Sequence, residues 1–251
     1  MLCPQIKTSE LKVKKGTITV VRDDFLPGGT KQRGGIPFLS YLKNLGIKEF
    51  VYASPFSGFA QIALSICSNK VGVKSKIFAE IDNKTKEMSS FTKIASNHSQ
   101  IQLCKNLNEA EEKSLDYCSN KHIAKIPLGF NHPMFVDFLK EDLKKQLSSF
   151  KEIKTIWLPV GSGTLVRTFR DILPECVKIN CVDVKVLPEN DERIQMVKNL
   201  KNTNYIQTLE NFQSPCINKP PIPSNLFYDS KLWTHINSSA EDGDVWWNVA
   251  C

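Results

Sequence analysis

Apolar residues fall into two kinds of pattern along this chain. Short β-branched or apolar runs at residues 17–21, 49–53, 76–81, 101–104, 155–160 and 178–184 read as buried strands. Between them, apolar residues recur at spacings of three and four. Ile36, Phe38, Leu39, Leu42 and Leu45 predict a helix from Lys31 to about Gly46. Ile62, Ala63 and Ile66 predict a second helix that starts after Ser57. Others follow over about 85–95, 107–117, 134–150 and 192–200, and one begins at Leu165. Strand and helix alternating through short loops is the βαβ pattern of an α/β fold, with parallel sheets covered by helices. Residues 1–16 are polar and basic and read as a loose lead-in. Residues 214–224 are proline-rich with little regular structure, and the aromatics at Tyr228, Trp233, Trp246 and Trp247 predict a tail docked onto the body.

Three strand-to-helix junctions carry candidate chemistry. In the first, Arg22-Asp23-Asp24-Phe25-Leu26-Pro27-Gly28-Gly29-Thr30 leads into Lys31-Gln32-Arg33. A lysine at a helix start sits among amide N–H groups and the positive end of the helix dipole, which lower an amine's pKa. Lys31 there can serve as a nucleophilic amine, or be a surface lysine after a glycine turn. In the second, Ser54-Pro55-Phe56-Ser57-Gly58-Phe59-Ala60 enters a helix, with Ser57 a natural N-cap. In the third, the strand ending at Val160 runs into Gly161-Ser162-Gly163-Thr164. Small residues let backbone approach a phosphate, and the next helix supplies N–H donors. A glycine turn packing a helix on a sheet accounts for the same residues.

Composition narrows the classes. The 251 residues are 41% apolar and 24% charged, ordinary for a globular protein. No run approaches the roughly eighteen apolar residues of a membrane span. The first residues lack an apolar signal core. The eight cysteines include no CxxC pair and no histidine at metal spacing, so they read as reduced thiols of a cytoplasmic protein, with no metal. His98, His122 and His132 read as loop or surface residues. The net charge of +7 is spread among acids, as in Lys140-Glu141-Asp142-Leu143-Lys144-Lys145, so nucleic-acid binding rests on charge alone. An anionic cofactor or substrate accounts for the excess equally well.

Taken together, Arg22-Asp23-Asp24 and Gly28-Gly29-Thr30-Lys31-Gln32-Arg33 resemble the lysine segment of 1-aminocyclopropane-1-carboxylate deaminase and D-cysteine desulfhydrase. Those are fold type II pyridoxal-phosphate enzymes, relatives of the tryptophan synthase β-chain. Thr30 departs from the family's asparagine. Ser57-Gly58 and Gly161-Ser162-Gly163-Thr164 match further family stretches in the same order, although the phosphate loop has one glycine fewer. Phe59 replaces the polar residue expected to face the cofactor. The resemblance implies a two-lobed fold with pyridoxal 5'-phosphate between the lobes. The smaller lobe spans about 45–130 and is inserted in a larger one of 1–44 and 131–251. Lys31 is then the Schiff-base lysine and base, Ser57 a catalytic and substrate-contacting residue, Ser57, Gly58 and Phe59 cofactor neighbours, and residues 161–164 the phosphate cradle. Part of the C-terminal segment is expected to close over the cofactor. The implied activity is deamination, elimination or replacement on an amino acid or related primary amine, in a homodimer. The chain is short for the family and resembles its compact phage- or virus-type members, whose substrate is an aminated nucleotide base in the alternative reading. A non-catalytic cofactor-binding relative and a nucleic-acid-binding module are the rival classes.

Overall fold

A computed structural model describes residues 3–82 and 84–251. In chain order the elements are β1 (Thr8–Val13), β2 (Gly16–Arg22), α1 (Lys31–Asn44), β3 (Glu49–Ser54), α2 (Ala60–Val71), β4 (Lys74–Glu80), α3 (Ser90–Ala95), β5 (Gln100–Cys104) and α4 (Leu107–Tyr117). They continue with β6 (Ile123–Lys125), α5 (Pro133–Leu147), β7 (Thr155–Val160), α6 (Thr164–Ile172), β8 (Lys178–Asp183), α7 (Glu192–Lys198), β9 (Thr203–Gln207), α8 (Trp233–Ser239) and β10 (Val245–Asn248). The chain divides into two compact units, one of Cys3 with Lys31–Leu139, the other of Pro4–Thr30 with Lys140–Cys251. No helix among the described residues is long and apolar enough to cross a membrane.

The first unit holds a four-stranded parallel sheet in the order β5-β4-β3-β6. Its central strands β3 and β4 are buried over most of their length and carry its apolar runs, while the edge strands β5 and β6 are only partly buried. On one face α4 brings Ala110 onto Val51, Ala53, Phe78 and Cys104. α1 packs along α2, and glycines in its first turns let α2 approach at Gly35 and α5 at Gly34. A Cβ on Gly34 would lie 2.9 Å from the Cβ of Leu139, and one on Gly35 would lie 2.9 Å from Cys67 Sγ. The glycine pair that weakens the helix by propensity is therefore demanded by packing, and α1 runs unbroken through Pro37 to Asn44.

The second unit holds a six-stranded sheet in the order β1-β2-β10-β7-β8-β9, parallel except for β1. Two elements differ from the sequence expectation. The polar lead-in contains β1, an edge strand whose alternation buries Leu11 and turns Glu10 and Lys12 outward. The C-terminal aromatics are no docked tail: β10 lies between β2 and β7 in the middle of the sheet. Successive strand residues face opposite sides. Trp246 joins Ile18, Val20, Trp157, Leu232 and Ile236 on one face, stacked on Trp233 at 6.4 Å between ring centroids. Trp247 meets Phe169 of α6 edge-on, at 4.9 Å.

Because Trp246 is fully buried in a central strand, Trp246→Ala should destabilise the fold by about 3–5 kcal/mol. The shift in urea unfolding midpoint measures this. A cost near 1 kcal/mol or less, typical of a surface contact, would contradict the placement of β10.

Candidate active site

The Lys31 junction is built by hydrogen bonds made before the lysine is reached. Asp23 is fully buried, and its Oδ2 accepts from Thr30 Oγ1 at 2.8 Å and from Trp247 Nε1 at 3.0 Å. The indole N–H also lies 2.9 Å from Thr30 Oγ1, so the three side chains form a closed triangle. Thr30 N donates to Val249 O at 3.0 Å, Leu26 N to Asp23 O at 2.9 Å, and Gly29 N to Leu26 O at 2.8 Å. Gly29 takes the left-handed conformation, at φ 60°, that this turn requires. Asp24 is held by Arg22 in a bidentate pair at 2.8 and 2.6 Å, which raises the guanidinium pKa, and Arg22 also lies over the Phe25 ring at 4.1 Å. Both acids of Arg22-Asp23-Asp24 thus have named partners, and Lys31 follows as the first residue of α1.

In the first unit, the loop after β3 departs from the capping expectation. α2 starts at Ala60 with Phe59 in the cap position, so Ser57 does not cap it. Ser57 is 4% exposed and its Oγ has no hydrogen-bond partner. A buried hydroxyl without a partner costs free energy, which makes it a candidate ligand contact. The loop around it is well tied. Gly58 N donates to Pro55 O at 3.0 Å, Gln61 Nε2 to Gly58 O at 3.0 Å, and Thr92 Oγ1 to Gln61 Oε1 at 3.0 Å. Phe59 meets Phe91 edge-on at 6.1 Å, so the departure from the family's polar residue places an aromatic contact where a hydrogen-bonding group was expected.

In the second unit, β7 enters α6 through Gly161-Ser162-Gly163-Thr164. Gly163 is left-handed, at φ 74°, and a Cβ there would lie 2.6 Å from Val197 Cγ2 on α7. A Cβ on Gly161 would lie 2.7 Å from Tyr228 Oη. Packing therefore accounts for both glycines, as the plain turn reading holds. The polar groups point further. Ser162 and Thr164 pair their hydroxyls at 3.0 Å, while among the described residues the amide N–H groups of 161–164 donate to no group of the chain. Four open amides at the start of a helix form an anion cradle.

Tyr228 belongs to a stretch that the sequence marks only as aromatic. Asn225 N donates to Ala250 O at 2.9 Å, and Val249 N donates to Asp229 Oδ1 at 2.8 Å. This knits the segment to the end of β10. Inside the knot, Asp229 Oδ2 and Asn225 Nδ2 are buried without partners. Burial, more than any other influence, holds the Asp229 carboxyl well above the usual carboxylate range; nearby Asp24 adds to this, and the Val249 amide opposes it. The sequence signal for Asp229 is an acid between Tyr228 and a run that ends in Leu232-Trp233, visible only once that run is known to be buried.

A folded-state pKa raised above the unfolded value of about 3.9 means that the folded chain keeps a proton the unfolded chain releases. The contribution to stability is present at low pH and falls as pH rises from about 4 towards the folded pKa. Asp229→Asn keeps an acceptor for Val249 N and removes the titration. Without added ligand, the variant should gain stability relative to the wild type between about pH 4 and pH 7, read from urea midpoints. A pH-independent difference would contradict the raised pKa.

No family profile matches the chain, and a comparison with curated proteins finds no match. Solved structures do match. The chain superposes on an ACC deaminase homologue with a TM-score of 0.76 at 12% identity, covering 99% of this chain and 90% of the other. It superposes on O-acetylserine dependent cystathionine beta-synthase from Helicobacter pylori with a TM-score of 0.71 at 15% identity, covering 98% and 93%. A hydrogen sulfide-producing enzyme from Fusobacterium nucleatum gives 0.70 at 15% identity, covering 99% and 96%. At these identities the likeness is one of fold, and it is the fold expected from the resemblance: α/β, with parallel sheets covered by helices, of fold type II.

Proposed function

We propose that this protein is a pyridoxal-phosphate-dependent enzyme acting on an amino acid or related primary amine, by deamination, elimination or replacement. The observation that carries the reading is the cradle at 161–164, whose open amides fit a phosphate. Two further features support it. Ser57 Oγ and Asp229 Oδ2 are buried polar atoms without a partner in a chain of this fold. The chain also superposes on an ACC deaminase homologue, an O-acetylserine dependent cystathionine beta-synthase and a hydrogen sulfide-producing enzyme.

The roles follow from the chemistry of each group. Residues 161–164 hold the phosphate. Asp229, whose carboxyl pKa is raised by burial, would offer Oδ2 to the cofactor's ring nitrogen, in company with Asn225. Lys31 would be the covalent attachment point, and its amine, when free, would be the base for the proton on the substrate's α-carbon. Ser57 donates its hydroxyl to the substrate carboxylate. Phe59, engaged with Phe91, gives the ring oxygen no hydrogen bond, so the site is drier there than a polar residue would make it. Bound in this way, the cofactor supplies an electron sink for the pair released at the α-carbon.

Titration with pyridoxal phosphate should develop a visible absorption band. Lys31→Ala should bind the cofactor without that band, and Lys31→Arg should fail as well, because a guanidinium stays protonated. Ser162→Asp puts a carboxylate beside the open amides without the backbone strain of a change at Gly163. It should weaken cofactor binding at least about tenfold through like-charge repulsion. An unchanged affinity in folded Ser162→Asp would remove the cradle from the proposal.

A further inference from the structure

Glu80 closes β4, at the carboxyl end of a parallel strand, where open α/β sheets receive ligands. Its side chain is only 8% exposed, and its Oε2 accepts from Phe56 N at 3.0 Å. No ion pair among the described residues involves it. A carboxylate has about four acceptor sites, and burying one is costly unless it is paired and hydrogen-bonded. A single amide leaves most of that capacity unmet. The amide that does reach Glu80 belongs to the residue preceding Ser57, whose buried hydroxyl also lacks a partner. Ser57, whose buried hydroxyl lacks a partner, and Glu80, whose other carboxylate oxygen accepts from no described residue and is not closed off from solvent, thus border one loop of the first unit.

We infer that Glu80 is a substrate-recognition residue and that the substrate is an amine bearing a second, cationic nitrogen on its side chain. The inference rests on the amine-acting reading above and deepens it. Ser57 takes the substrate's anionic end, and Glu80 takes the distal ammonium. Charge-assisted hydrogen bonds of this kind are about twice as strong as neutral ones and give selectivity through the wrong substrate's failure to neutralise the buried acid. A plain bracing role for Glu80 predicts something else: glutamine would accept from Phe56 N just as well, and no preference among substrates would change.

The test uses protein loaded with pyridoxal phosphate and compares 2,4-diaminobutyrate and ornithine with the uncharged homoserine and norvaline. Affinities are read by calorimetry and by the change in visible absorption. The dibasic amines should bind at least about tenfold tighter. In Glu80→Gln that ratio should fall to within about twofold with the cofactor band intact, and in Glu80→Asp, which keeps the charge, a preference should persist. Equal affinities in the wild type, or a preference that survives Glu80→Gln, overturns the inference. If Glu80→Gln loses the cofactor band, Glu80→Asp decides: a missing preference there overturns the inference too. A wild type that never develops the band overturns the amine-enzyme reading itself, and this inference with it. A band without a dibasic preference overturns this inference alone.

Discussion

The hydrogen-bonded triangle of Asp23, Thr30 and Trp247 is the constraint on which the rest depends. It joins the end of β2, the glycine turn and the centre of β10, three places far apart in sequence. All three side chains are buried, so each polar atom needs its partner; leaving one unsatisfied costs about 1–3 kcal/mol. Within the triangle Asp23 Oδ2 accepts from Thr30 and Trp247, and Asp24 is paired with Arg22. The backbone is thereby fixed up to Thr30, and Lys31 opens a helix from a defined starting point. Thr30, which stands where the resemblance has asparagine, contacts both other members through its one hydroxyl.

Much of this was legible in the chain. The alternation of apolar runs and helical spacing gives β2 to β5, β7, β8 and most helices, most plainly where strands such as β3, β7 and β8 are buried on both faces and read as continuous apolar stretches. The strand-to-helix junctions at Lys31 and Gly161 were visible because proline and glycine mark turns regardless of context. What was hidden depends on partners distant in sequence. The strand character of residues 8–13 is weak because this edge strand sends only Leu11 and Val13 to the core. The aromatics at 245–249 carry no local sign that β2 and β7 will flank them. Ser57 has the residue type of a helix cap, yet the helix starts after Phe59, and the hydroxyl is left buried and unsatisfied.

The two units divide the polar work differently. In the second, capacity lies in the backbone, as the open amides of 161–164, and also in two buried side-chain atoms without partners, Asp229 Oδ2 and Asn225 Nδ2. In the first, it lies in side chains, Ser57 and Glu80, on either side of Phe56. Backbone groups suit an invariant anion such as a phosphate, and side chains suit the part of a ligand that varies. Local rules are broken where a ligand would be met, which is the usual place for sequence and stability to part company.

The central claim is that Lys31 is the amine that carries the cofactor. Borohydride reduction of protein incubated with pyridoxal phosphate, followed by proteolysis and mass mapping, reads this directly, since reduction fixes the imine wherever it forms. The account predicts one pyridoxyl group, on the peptide containing Lys31. A label on another lysine, such as the buried Lys231 whose pKa is lowered to about 8 by burial, or no label at saturating cofactor, would contradict it.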